Sequence, residues 1–261
     1  MRRLLIRPGA IGDFIVSLPA LEYLRSDYTE VWTTEANAPL VRFADRVDTI
    51  VRAGLDALTL SAVTLGRLAE FDSIYSWYGA NRAEFREAVR GLPFRFLNAL
   101  PPEAAGVSAT DFYLRQVGGA AGAQPRLPVR WRDEGYVAIH PFSGSRRKNW
   151  ELEKYRAVAR GLNRPVRWTA GPEEALEEAE RFDSLWDLAE WLGGASLYIG
   201  NDSGITHLAA ACGVPVIAIF QASDAVVWAP RGEHVTVLES PGVEEVISEG
   251  RRRLRGSNPR G

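Results

Sequence analysis

Four short stretches of this 261-residue chain hold residues whose types and spacing suit the handling of an anion or a proton. In Asn201-Asp202-Ser203-Gly204-Ile205-Thr206-His207, turn and N-cap residues follow an apolar run and precede a helix of small residues. Free amides and the dipole at such a helix start suit a phosphate, and Ser203 and His207, one turn apart, share the face beside it. A well-capped βαβ crossover that binds nothing has the same local pattern. His140-Pro141-Phe142-Ser143-Gly144-Ser145-Arg146-Arg147-Lys148-Asn149-Trp150 is a basic loop after a strand. Ser143, Gly144 and Ser145 can turn hydroxyls and amides toward a phosphate, with Lys148 as a point charge; the alternative is a solvated basic turn. Pro8-Gly9-Ala10-Ile11-Gly12-Asp13 puts a carboxylate in a first helical turn, as a proton acceptor or as a favourable charge at a helix start. Ala170-Gly171-Pro172-Glu173-Glu174 sets acids at a strand end, where a ribose hydroxyl or a helix dipole could use them.

The elements that must position these residues follow from hydrophobic periodicity. Strands are expected over 3–7, 30–33, 49–51, 73–77 and 94–97, with helices over 11–25, 62–68, 82–90 and 109–117. The small-residue stretch 118–125, which ends in Pro125, reads as a linker. A second alternation follows, with strands over 136–140, 166–169, 195–200, 216–220 and 235–238 and helices over 151–162, 185–192, 205–212 and 241–254. Repeated strand-helix alternation predicts an α/β protein of two Rossmann-like lobes with parallel, doubly wound sheets. Gly9-x-x-Gly12 lacks the third glycine of a dinucleotide fingerprint, which argues against a nicotinamide-dependent oxidoreductase.

Composition narrows the classes further. A net charge of −2 argues against a general nucleic-acid binder, and 46% apolar with 25% charged residues is the balance of a globular protein. Cys212 stands alone, and three histidines without close pairing give no zinc signature. No run approaches the ~20 apolar residues of a membrane span, and Arg7, Pro8 and Asp13 interrupt any signal-peptide core, so a cytoplasmic location is expected. Trp186 and Trp191 read as packing residues. The arginine-rich end at 251–255 complements a helix terminus or touches an anionic membrane face.

Three of these stretches together resemble the motifs of the heptosyltransferase-like glycosyltransferases (glycosyltransferase family 9). They are Arg7 to Asp13 with Leu18-Pro19-Ala20-Leu21, His140-Pro141 followed by Lys148-x-Trp150, and Asn201 to His207 followed by Leu208-Ala209-Ala210. The resemblance implies a GT-B fold. Residues 1–124 form an acceptor-binding lobe, residues 125–241 a nucleotide-sugar lobe, and a terminal helix over 242–256 packs back on the first lobe. It further implies inverting, metal-independent transfer of heptose or a related sugar from a nucleotide diphosphate donor such as ADP-heptose. The acceptor is a glycan or glycolipid of lipopolysaccharide-core type, and the enzyme makes peripheral contact with the inner membrane face. Asp13 takes the role of base, with Gly9 and Gly12 in the acceptor-side loop. Donor contacts map onto Ser143, Gly144, Ser145, Lys148, Glu174, Asp202, Ser203 and Gly204, with His207 beside them. No further cofactor and no nucleic-acid partner is implied. The chain departs from the family pattern at Phe142 and at Gln221-Ala222-Ser223-Asp224-Ala225, and a nucleotide-sugar binder with a reduced acceptor lobe and no transferase activity is the alternative.

Overall fold

The computed structural model describes residues 1–57, 59–102 and 106–256. The chain divides into two compact units, Met1–Ala105 with Ala109–Ala123, and Gly106–Ser108 with Gln124–Gly261.

In the first unit the elements run β1 (Arg2–Ile6), α1 (Ile11–Tyr23), β2 (Tyr28–Thr33), β3 (Arg46–Thr49), α2 (Ala62–Leu68), β4 (Ser73–Ser76), α3 (Ala83–Ala88), β5 (Phe94–Phe96) and α4 (Ala109–Gln116). The sheet has the order β3-β2-β1-β4-β5 with every pair parallel. Leu4, Leu5 and Ile6 are fully buried, as a central strand covered on both faces requires. Because strand order reverses at β1, the loops leaving β1 and β4 diverge and open the sheet at its carboxyl rim. The loop after β1 carries Asp13. The strand expected at 49–51 lies instead at Arg46–Thr49, in register with Glu30–Thr33. It is an edge strand whose Asp48 pairs with Arg67 at 2.9 Å, so it carries no apolar run to betray it.

The second unit contains β6 (Tyr136–His140), α5 (Leu152–Gly161), β7 (Val166–Thr169), β8 (Ala179–Glu180), α6 (Leu185–Leu192), β9 (Ala195–Asn201), α7 (Gly204–Ala211), β10 (Val216–Phe220), α8 (Ala225–Trp228), β11 (Val235–Glu239) and α9 (Val243–Gly256). Its parallel sheet has the order β11-β10-β9-β6-β7-β8. All seven residues of β9 are buried, and β9 lies between β10 and β6. Cys212 is a buried, free thiol, and Trp191 packs against Tyr136 and Phe182. The two-residue β8 and the single turn α8 are too short to give a periodic signal. Among the described residues no helix is long and apolar enough to cross a membrane.

The terminal helix buries Val246, Ile247 and Leu254 in the core that holds Val137, Ile139 and Tyr155. Three of its arginines are engaged there: Arg251 donates twice to the Gly161 carbonyl, at 2.7 and 3.0 Å, closing the end of α5. Arg252 and Arg253 pair with Glu249. The two helices approach closely because Gly161 has no side chain: a Cβ there would stand 2.4 Å from Ile247 Cδ1.

That contact sets up a compensation test. Ile247→Ala should lower the unfolding free energy by about 2–4 kcal/mol, since it empties a buried site. Gly161→Ala alone should also destabilise, whereas Gly161→Ala added to Ile247→Ala should recover part of the loss, because the new methyl enters the vacated space. Urea titrations of the four proteins measure the coupling; strict additivity would show that the helices do not meet through this pair.

Candidate functional site

In the second unit the loop after β6 and the turn after β9 come together at the carboxyl rim of the sheet. Asn201, the last residue of β9, is fully buried. Its Nδ2 donates to the Pro141 carbonyl at 2.8 Å, and its Oδ1 accepts from the Trp150 amide at 2.8 Å and the Tyr155 hydroxyl at 2.9 Å. Both ends of the 141–150 loop are thereby tied to the strand that delivers Asp202. Lys148, in the short 3-10 turn Arg146–Lys148, places Nζ 2.7 Å from Asp202 Oδ2. The Asp202 side chain is only 5% exposed and that of Lys148 38%, so a buried carboxylate meets a half-exposed ammonium.

Helix α7 begins two residues after Asp202. Its first-turn amides lack intrahelical acceptors, and Ser203 as N-cap accepts that of Thr206 at 3.3 Å. Thr206 Oγ1 donates its single proton to the Asn201 carbonyl. It must therefore accept from the hydroxyls of Ser203 and Tyr198, each 3.1 Å away. Ser203 thus directs its proton inward and presents amide rather than hydroxyl to the rim. Ser143 is likewise occupied, with Oγ 2.8 Å from the Ser145 carbonyl and 2.7 Å from Asn149 Oδ1, and its hydroxyl shapes the loop. The exposed Gly144 and the half-exposed Ser145 lie between these contacts, and Gly204 opens the helix.

Two buried imidazoles flank this arrangement. His207 is held neutral: burial lowers its pKa to about 4, with Asp202 opposing the shift and Lys148 adding to it. His140 Nδ1 is 3.0 Å from the Thr169 carbonyl, so that nitrogen carries the proton. Its Nε2 faces Glu174 Oε2 at 3.8 Å, and burial lowers its pKa despite that carboxylate. Glu174 Oε2 accepts the Gly171 amide at 2.6 Å, which holds the acid at the end of β7. The structure therefore gathers Ser143, Lys148, Asp202, Ser203 and His207 on one rim, with Glu174 reached through His140.

In the first unit, Arg7 organises the glycine loop. It is 2% exposed, and its guanidinium donates to the carbonyl of Asp13 (2.8 Å), to Ser17 Oγ (3.1 Å) and to the carbonyls of Pro8 (3.3 Å) and Ala99 (3.4 Å). It also lies 4.6 Å from the Tyr113 ring centroid. Gly9 has φ +140°, and a Cβ on it would sit 3.9 Å from Asp13 Oδ2 and 3.7 Å from Arg7 Nη1. Asn37 Nδ2 fixes the Gly9 carbonyl at 3.0 Å. Asp13 stands in the first turn of α1, Gly12 just ahead of it. Asn201, Thr206, Tyr155 and Arg7 were not among the residues assigned to the site from sequence, although Asn201, Thr206 and Arg7 stand inside its motifs. The available signal was a polar residue closing an otherwise apolar strand. Among the described residues no cluster of three or more His, Cys, Asp or Glu could hold a metal ion.

Comparison with known proteins adds the family context. A family profile described as glycosyltransferase family 9 (heptosyltransferase) matches residues 113–251, more than half of the chain. Lipopolysaccharide heptosyltransferase 3 of Escherichia coli is 31% identical over 121 residues, 37% of this chain and 34% of that protein, so the match spans about a third of that relative. Among solved structures, the ADP-heptose LPS heptosyltransferase II of E. coli superposes with a TM-score of 0.75 at 16% identity, covering 98% of this chain and 99% of its own. The E. coli heptosyltransferase WaaC with ADP gives 0.68 at 18% identity, covering 98% and 99%. At such identities the likeness is one of fold, and that fold is GT-B.

The buried imidazoles predict an acid-sensitive fold. Both bind a proton more weakly in the folded chain than in the unfolded one. The unfolded state therefore takes up more protons below pH 6.5, and stability falls as the pH drops toward 4. The His207 share is on the order of 3 kcal/mol, from a pKa lowered to about 4. Urea midpoints at pH 7.5 and 4.5 should differ less in His207→Gln than in the parent; equal differences would show that His207 is protonated in the fold.

Proposed function

The chain belongs to glycosyltransferase family 9 (heptosyltransferase), and on that footing we propose that it transfers a sugar, heptose or a relative, with inversion. The donor is a nucleoside diphosphate sugar, ADP-heptose being the model donor, and the acceptor is a glycan or glycolipid of lipopolysaccharide-core type. The related structures support the donor class, since one is a complex with ADP and another is an ADP-heptose LPS heptosyltransferase. The observation that carries the reading in this chain is the pair formed by Lys148 and buried Asp202 at the N-terminus of α7, 2.7 Å apart.

The chemistry follows from that pair. A ligand diphosphate exchanges with Asp202 for the half-exposed Lys148 ammonium, while the α7 amides add partial positive charge. As the glycosidic bond breaks, negative charge grows on the diphosphate, where the lysine and those amides already point. These groups supply the charge that a metal supplies in other transferases, so transfer is proposed to need none. Neutral His207 can hydrogen-bond the donor without adding a competing cation. Glu174, fixed by the Gly171 amide, receives ribose hydroxyls. In the first unit Asp13 takes the proton of the attacking acceptor hydroxyl, which makes that oxygen nucleophilic on the face opposite the leaving group. The enzyme works in the cytoplasm, on an acceptor presented at the inner membrane face.

Two measurements test this reading. ADP should raise the melting temperature of the parent, and Lys148→Ala should lose most of that rise, with affinity about tenfold or more weaker. Asp13→Asn should keep ADP affinity and lose transfer by a factor on the order of 100 or more. ADP binding without turnover on any glycolipid or oligosaccharide acceptor would mark a binding protein instead, and an active Asp13→Asn protein would remove Asp13 from the role of base.

A further inference from the structure

We infer that Asn201 is the positioning residue of the donor site, holding Lys148 in place by clamping both ends of the loop that carries it. The inference rests on the proposed role of Lys148 as the phosphate-binding cation. Asn201 touches no ligand-facing atom in this arrangement and acts through the loop. Its amide donates to Pro141 at one end of the loop, and its carbonyl oxygen accepts from the Trp150 amide at the other. The same oxygen accepts from Tyr155 in the first turns of α5, which anchors the clamp to a helix as well as to a strand. Trp150 then packs edge-on against Tyr155, with ring centroids 5.1 Å apart. Between these fixed points the loop has little freedom, and Lys148 is delivered to within 2.7 Å of the residue that follows Asn201.

The geometry demands this side chain. One group must donate to a carbonyl and accept from an amide and a hydroxyl, all within a fully buried space. Aspartate lacks the donor, and leucine lacks both functions. Alanine would leave the Pro141 carbonyl, the Trp150 amide and the Tyr155 hydroxyl without their partner, and buried polar groups in that condition seek water or move. A second link runs through the Asn201 backbone, whose carbonyl takes the Thr206 hydroxyl and so ties the strand end to the first turn of α7. The phosphate-facing amides and the lysine are thus both referred to one residue.

The test uses the fact that the chain has two lysines, Lys148 and Lys154. Lys154 stands on α5, paired with Glu151 at 3.1 Å, and serves as the internal control. Partial acylation of the full chain with an N-hydroxysuccinimidyl acetate, read by peptide mass spectrometry, should show the Lys148-to-Lys154 ratio rising about threefold or more in Asn201→Ala. Calorimetric ADP affinity should fall about tenfold in Asn201→Ala but less than about twofold when the same change is made in Lys148→Ala, as expected if one residue acts through the other. Tyr155→Phe removes one of the three bonds and should give the same pattern at smaller size, about threefold in affinity; it decides the matter if Asn201→Ala does not fold. Additive losses, or an unchanged acylation ratio in a folded variant, overturn the inference. A parent that takes no ADP overturns the proposed function, and the acylation ratio then still decides the clamp.

Discussion

An ionised carboxylate in a protein interior is costly unless a cation and hydrogen bonds meet it, and Asp202 imposes that condition on the second unit. Its side chain is almost wholly covered, and Lys148 is the cation that meets it. Much else follows. The 141–150 loop must hold one conformation for the lysine to arrive, and Asn201 supplies it. His207, in contact with the same field, remains neutral because burial outweighs the pull of the carboxylate. Lysine rather than arginine suits this place, since a flexible chain with a single point charge can leave one oxygen for another. The ion pair therefore keeps the rim in shape without a ligand while leaving its cation exchangeable.

The first unit solves the opposite problem. It buries a cation, Arg7, and satisfies it with carbonyls and one hydroxyl at the end of β1. The planar guanidinium can reach several acceptors at once, so it stitches together the glycine loop, the first turn of α1 and the segment after β5. In both units the expensive polar burial stands at the carboxyl rim of a parallel sheet. The strands there end among converging loops, and backbone carbonyls and helix starts lie within reach.

The two alternating βα series were legible because central strands of a parallel sheet read as continuous apolar runs. Tyr136–His140 and Val216–Phe220 stand where the hydrophobic pattern put them. The edges were not. Arg46–Thr49 is polar and owes its place to pairing with β2 and to Arg67. Ala179–Glu180 is two residues long and exists only because β7 offers it hydrogen bonds. The terminal helix was legible as a helix, but its docking was not: amphipathic spacing says that a face will be buried and not against what, and here a glycine at the end of α5 admits Ile247.

By itself the sequence determined which residue types stand at the strand ends. Hydrophobic periodicity fixes where a strand stops, and the residues just beyond it, Asp13, Lys148, Asp202 and Ser203 among them, are then placed on a rim. Only the tertiary structure decided how those residues are employed. Lys148 and Asp202 are 54 positions apart, and their contact depends on β6 lying beside β9. The Ser143 and Ser203 hydroxyls are committed to neighbouring acceptors, His207 loses its charge to burial, and Asn201 reaches across to three partners. Hydrogen-bond direction and desolvation are set by what stands within a few ångströms in space, and local spacing along the chain carries no record of that distance.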